Sequence, residues 1–380
     1  MEKGDIPMLK PSKERILNYF IELVKLPSLS RHEKPVAEYI ESILDKLKIP
    51  YYIDNAGEKI GSNTGNIIAH LKGKGDGPTI MFSAHMDTVG PVGEGVRPQI
   101  EGDIVKSDGT TILGSDDKAG IAAILELYTV LVENGVSPSG DIVAAFTISE
   151  EIGLLGAKNI DLKGKKIDFA YVIDSSNDPK YIIHRAPSHY ELYFRVYGKA
   201  AHAGVNPELG VNAIWVASKM ISSFKMGRID KETTFNIGRI SGGRAFNIVP
   251  ERVEFIGEAR SHNEQKIQTL LEDVEKKTEN IAKENKAKVD FKKIEGFKAY
   301  HIKESEPVVK FIISAYNRLG MEYELTFTNG GSDANVFNKM GIPSLVMSEG
   351  THNPHSLNEW VDINDIVKVS NILLSLSGVY

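Results

Sequence analysis

The sequence predicts an α/β fold, a largely parallel sheet flanked by helices, interrupted by a small inserted α+β domain. Three observations predict it. From residue 67 to about 175, apolar runs of strand character alternate with helical stretches, the chain order of a parallel sheet. Near residue 185 the texture changes to longer alternating strands around two helices, in the order β-α-β-β-α-β of a ferredoxin-like unit. From about residue 299 the helix–strand alternation returns. The expected division is therefore 1–184 and 299–380 for the two parts of the α/β domain, with 185–298 as the insert.

Taken in order, residues 11–48 read as two amphipathic helices, and the second opens with "SRHE", where Ser30 and Glu33 fit a capping box. "NIIAHL" and "TIMFSAH" have the character of strands. A Gly-rich loop and a strong helix, "DDKAGIAAILELYTVLVENG", come next. "DIVAAFTI", the short helical "LLGAKNI" and the strand "FAYVID" complete the first part. In the insert, "HYELYFRVYGKA" alternates as a half-buried strand, and a helix covers about 211–224. "TFNIGRISGG" and "NIVPERVEFIGEARS" pair as strands; the charged helix 263–288, a solvated face, leads to "VDFKKIEGF". The last part runs through "PVVKFIISAYNRLG", "YELTFT", "SDANVFNKMG" and "IPSLVM" to a final helix.

With 380 residues the chain is long enough for two domains and a sizeable core. Its 45 basic and 51 acidic residues leave a net charge of −6, which argues against a nucleic-acid partner. No apolar run approaches the roughly 20 residues of a membrane span, and the N-terminus lacks the apolar stretch of a signal peptide. A cytoplasmic location is expected. Cysteine is absent, which excludes disulfides, thiolate metal sites and a Cys nucleophile. Any metal must be held by His, Asp and Glu. "GKGDG" lacks the Gly-Lys-Ser/Thr ending of a phosphate loop and reads as a turn.

In open α/β sheets, ligands bind beyond the carboxyl ends of the strands, and the polar residues collect there. "TIMFSAHMD" ends in His85 and Asp87, "AAFTISEE" in Glu150 and Glu151, and "FAYVIDSS" in Asp174. "IPSLVMSEGTHNPHSLNE" adds His352, His355 and Glu359, and "LGSDDKAG" adds Asp116 and Asp117 at a helix entrance. So many carboxylates on one rim need a strong positive charge, and a pair of divalent ions supplies it. The arithmetic assigns His85, Glu151, Asp174 and His355 as terminal ligands and Asp116 as the bridge. Asp87 is placed to orient His85 through its other nitrogen. Glu150, beside a ligand, is the general base that takes a proton from metal-activated water. His352 competes with His355 for its place, and Asp117 caps the helix.

"SAHMDTV", "LGSDDKAG", "ISEEIG", "VIDSS", "AHAGVNPELGVNA" and "HSLNEW", in order and with matching spacing, resemble the M20 family of co-catalytic metallopeptidases, in particular its peptidase T-like (tripeptidase) branch. The similarity runs from "LPSLS" to the last helix. It implies a zinc-exopeptidase-like fold whose ferredoxin-like insert serves as lid and dimerisation domain. Two divalent ions, zinc or else cobalt or manganese, would hold a bridging hydroxide that attacks the peptide carbonyl. The resemblance selects Asp116 as the bridge and makes the peptide bond after it cis. It gives His202 of "AHAG" the oxyanion, Asn247 and Arg260 the substrate carboxylate, and Gly330 and Gly331 of "GGSDAN" a place along the substrate cleft. The sequence departs from the family at Asp174, followed by Ser-Ser where many relatives have Gly, and at Arg260, in "EAR" where "D-x-R" is frequent.

The activity these readings imply is removal of an N-terminal residue from tripeptides by a homodimeric enzyme. An N-acyl amino acid deacylase on the same scaffold is the first rival, and a metal-binding relative without turnover the second. The intact Glu150 argues against the latter.

Overall fold

The computed structural model describes residues 9–92 and 95–379. Residues 1–8, on which the signal-peptide reading partly rests, lie outside them. The chain forms two compact units. One takes the chain up to His184, His301–Phe327 and everything from Ser332 onward; the other takes Arg185–Tyr300 and Thr328–Gly331. The second unit thus claims the short stretch 328–331, which the sequence pattern gives to the α/β part.

The first unit is built on a mixed sheet. Its centre sets Ile67–Leu71, Ile142–Thr147, Ile80–His85, Phe169–Ser175 and Ser344–Ser348 side by side in that order. The last four run parallel, so their carboxyl ends share one edge. Ile67–Leu71 runs antiparallel to its neighbour. Ile80–His85 and Ile142–Thr147 are buried at every position, the pattern of strands covered on both faces. Helix Ser115–Glu133, almost wholly apolar from Ala119 to Leu131, is buried all round, with helices Lys13–Lys25 and Ile363–Leu376 against it. Glu126, a carboxylate buried in that apolar stretch, is met by Arg15 Nε at 2.6 Å and the Ser12 amide at 2.6 Å. Among the described residues no helix is long and apolar enough to cross a membrane.

The second unit is a five-stranded antiparallel sheet in the order Gly227–Arg228, Thr233–Gly242, Arg252–Ser261, Ser188–Tyr197, Lys288–Phe297. Helices Ala213–Ser223 and Glu264–Glu284 cover it. Phe194 and Phe255 stack at 4.3 Å in its core. This is the ferredoxin-like alternation that the sequence predicts.

Two local expectations change. Helix Lys34–Leu47 has Glu33 as its N-cap with no side-chain capping bond. Ser30 and Glu33 spend their side chains elsewhere: Ser30 Oγ donates to Asp87 at 2.6 Å, and Glu33 accepts from Ser149. A small antiparallel sheet of Gln99–Glu101, Ile104–Lys106, Trp360–Asp362 and Thr351–His352 is also present. Its strands of two or three residues are too short to show periodicity. It ties up His352, whose ring lies flat on Trp360 at 3.9 Å.

Candidate metal centre

The four parallel strand ends deliver one constellation, all of it within the first unit. His85 closes its strand with the ring buried. Its Nδ1 lies 2.9 Å from the Asp87 carbonyl, which leaves Nε2 pointing at Asp116 Oδ1, 3.0 Å away, with Asp174 Oδ1 at 3.8 Å. The carbonyl of Asp87 is a nearer partner than its carboxylate, which stands 3.4 Å from the same nitrogen. On the other side, His355 Nε2 lies 3.3 Å from Asp116 Oδ2 and 2.8 Å from Glu151 Oε1. Two groups able to hold a cation result, His85–Asp116–Asp174 and Asp116–Glu151–His355, each with its donor atoms within 4.8 Å of one another. Asp116 belongs to both and turns one oxygen to each.

The backbone that carries Asp116 is held from a distance. Glu359, buried, accepts from the amides of Leu113, Gly114, Ser115 and Asp116 and from the Ser115 hydroxyl, at 2.8–3.2 Å. The Asp116–Asp117 peptide bond is cis. Asp117 does cap the helix, through the Gly120 amide at 3.1 Å, and its other oxygen takes the His85 amide at 3.0 Å. The turn that carries Glu150 and Glu151 is held in the same way. The Ile148 amide donates to Asn66, the Ser149 amide to Glu33, and the Glu150 and Glu151 amides to Asp87, at 2.9–3.2 Å. Thr147 Oγ1 donates to the buried Asp333 at 2.6 Å. Sequence reasoning missed these roles of Glu33, Asn66, Asp333 and Glu359, although Glu33 stands in "SRHE", Asp333 in "GGSDAN" and Glu359 in "HSLNEW".

The electrostatics follow from burial and crowding. Burial pushes Glu150 well above the usual carboxylate range, and the neighbouring charge of Asp174 adds to the shift. Asp174 is lifted by burial as well, and Glu349, buried and facing the charge of Asp116, is pushed up to about 8. Asp116 goes the other way: burial would raise it, but its contacts with His355 and His85 hold it below the usual range. Asp116 and Glu151 in turn push His355 up to about 10. Burial would lower His85, yet Asp116 and Asp87 lift it well above its ordinary value. Such a crowd of acids retains protons that a dication would replace, and perturbed groups of this kind mark functional sites.

The other sequence-predicted residues belong to the second unit. His202 is exposed, its Nδ1 accepting from the amides of Gly204 and Val205 at 3.2 Å. Asn247 is exposed on a neighbouring turn, where its carbonyl takes the Ala203 amide at 3.0 Å. Arg260 donates from Nη1 to the Asn329 carbonyl at 3.0 Å and from Nη2 to Glu258 at 3.0 Å. His189 Nε2 stands 3.2 Å from the same carboxylate. His189 and then Arg260 hold Glu258 down at about 2, against the effect of burial. Gly330 donates to Thr328 Oγ1 at 3.0 Å. A Cβ on Gly331 would come within 2.2 Å of the Phe297 ring, so a larger residue there would have to push that ring aside.

The model of peptidase family M20/M25/M40 matches residues 81–377. The chain belongs to the M20 peptidases. It is a metal-dependent peptide hydrolase, and its relatives agree. This M20 peptidase is 37% identical over 365 residues to the uncharacterised protein YqjE of Bacillus subtilis, covering 96% of this chain and 98% of that protein. It is 27% identical to a peptidase T of Fusobacterium nucleatum, covering 78% of this chain and 80% of that one. Among solved structures, a tripeptidase from Staphylococcus aureus superposes with a TM-score of 0.91 at 33% identity, and the aminopeptidase PepT of Bacillus cereus with 0.88 at 35%. Each covers 96% of this chain and 98% of its own. YXEP of Bacillus subtilis, a dinuclear metal binding peptidase of the M20 family, shares the fold with a TM-score of 0.75 at 20% identity.

Proposed function

We propose that this M20 peptidase is a tripeptide aminopeptidase that works with two divalent ions, zinc or else cobalt or manganese. One observation carries the dinuclear reading: Asp116 presents Oδ1 toward His85 and Oδ2 toward His355, as a bridging carboxylate must. His85 and Asp174 would complete one ion's ligands, and Glu151 and His355 the other's. The donors are all imidazole nitrogen and carboxylate oxygen, which suits ions of the zinc class. When bound, the ions would polarise the peptide carbonyl and make water acidic enough to give up a proton near neutrality.

The chain's own residues do the rest. Glu150, 9% exposed and with its proton affinity raised by burial, takes the proton from the attacking water and returns it to the departing amine. Asp87 fixes both glutamates by their amides, and its carbonyl fixes the tautomer of His85. In the second unit, His202 donates to the oxyanion, and Arg260 with Asn247 takes the substrate's far carboxylate, while Gly330 and Gly331 line its path. The tripeptide preference draws on likeness to a tripeptidase and to PepT. Dimerisation through the second unit belongs to the same proposal, supported by its exposed apolar side chains Trp215, Ile240 and Phe246. So does work in the cytoplasm.

Mass spectrometry of products from a mixed pool of di-, tri- and tetrapeptides, with and without a chelator, tests the function. Tripeptides should be shortened by their N-terminal residue, and the chelator should stop it. Free amine from N-acetylated amino acids but none from tripeptides would select the deacylase instead. Glu150→Ala should lower kcat by about 10²–10⁴-fold, and unchanged turnover in that variant would refute the base.

A further inference from the structure

Four successive backbone amides, Ile148 to Glu151, each donate to a side chain from a remote part of the chain. The strand Ile142–Thr147 ends just before them, so the turn receives no ladder bonds there. Ser149 sits in the middle at φ 53°. That left-handed conformation is unfavourable for a residue that carries a Cβ, and the surroundings must hold it. Glu33 does so. Fully buried, its Oε1 accepts from the Ser149 amide at 2.9 Å and the Ser149 hydroxyl at 2.8 Å, and also from the Arg31 amide at 2.7 Å. Its Oε2 takes the Ser62 hydroxyl at 2.7 Å. The Arg31 amide also reaches Ser149 Oγ at 3.1 Å, closing the contact from the other side. Three bonds therefore lock the residue immediately before Glu150.

We propose that Glu33 is a positioning residue for the reaction: through Ser149 it fixes where the Glu150 carboxylate stands. This rests on the reading of Glu150 as the base. A displacement of about 1 Å in a reacting group can cost a hundredfold in rate without weakening substrate binding, so the effect belongs in kcat rather than KM. Glu33→Leu should lower kcat about 100-fold with KM within about twofold of wild type. Glu33→Gln should restore most of that loss. Its amide oxygen can replace Oε1 toward Ser149 and Arg31, and its NH₂ can face Ser62 Oγ, which then accepts. Ser149→Ala, which removes both hydroxyl bonds, to Glu33 and from the Arg31 amide, but keeps the Ser149 amide bond and the buried Glu33, should lower kcat by about fivefold to tenfold, and it carries the test should the leucine variant not fold.

Hydrogen exchange read by mass spectrometry on the metal-loaded enzyme supplies the second readout. Amides 148–151 should exchange faster in Glu33→Leu and Ser149→Ala, and near wild-type rates in Glu33→Gln. Wild-type kcat in folded Glu33→Leu or in Ser149→Ala rejects the inference, as does equal loss in the glutamine and leucine variants. If Glu150→Ala abolishes turnover while those variants keep it, the base stands and the role of Glu33 falls. If Glu150→Ala keeps turnover, the base falls and takes the role of Glu33 with it.

Discussion

Asp116 shows how much one side chain can decide. Because its two oxygens face different imidazoles, at 3.0 and 3.3 Å, its loss removes a donor from both groups at once. Asp116→Ala should therefore bind neither ion tightly, while Asp174→Ala should weaken one and spare the other. Elemental analysis after dialysis gives the count; one ion retained by Asp116→Ala would break the bridging assignment. Arg260 makes the complementary point about substrate. Its guanidinium is already aimed by Glu258 and the Asn329 carbonyl, so its geometry is set before any ligand arrives. Arg260→Ala should raise KM for a tripeptide roughly tenfold or more and leave the C-terminally amidated tripeptide almost unaffected. Equal effects on both substrates would remove Arg260 from carboxylate recognition.

Elements place these residues, and at this scale the sequence is legible in part. Four apolar runs ending in His85, Glu150, Asp174 and Ser348 read as buried strands, and they are adjacent parallel strands. Strand burial writes itself into a continuous run, and the polar residue that ends the run marks the active edge. What could not be read is what holds those ends. "SRHE" has the form of a capping box, yet Ser30 reaches Asp87, 57 residues on, and Glu33 reaches Ser149, 116 residues on. A local pattern cannot report a partner that only folding brings near. Glu359 is the strongest such support, gripping the entrance of helix Ser115–Glu133 by three amides at 2.8–2.9 Å. Glu359→Ala would leave those buried donors unpaired, at about 1–3 kcal/mol each. Its thermal midpoint should fall by roughly 4–11 °C, and its metal affinity with it, because Asp116 follows directly. A variant that melts like the wild type would show that water replaces the carboxylate.

For the molecule as a whole, the centre couples folding to both protons and metal. His355 is raised from 6.5 to about 10, and Glu349 from 4.5 to about 8. Groups raised on folding stabilise the native state fully below their unfolded values and lose that contribution as pH rises through the folded ones. Both shifts therefore push in one direction: the stability these two groups give the metal-free protein should fall from about pH 4.5 to about pH 8 through Glu349 and from about pH 6.5 to about pH 10 through His355. Metal reverses the trend, since imidazoles and carboxylates bind it only when deprotonated, so its affinity grows as pH rises. Bound ions stabilise the fold by mass action, and they remove the repulsion among Asp116, Glu151 and Asp174 that deprotonation would otherwise expose. The gap in Tm between metal-loaded and chelated protein should thus widen steadily from pH 6 to pH 9. Calorimetry of the two forms across that range decides it: a gap that narrows, or a chelated protein that gains stability with pH, would mean that these acids and imidazoles are held by something other than their need for a cation.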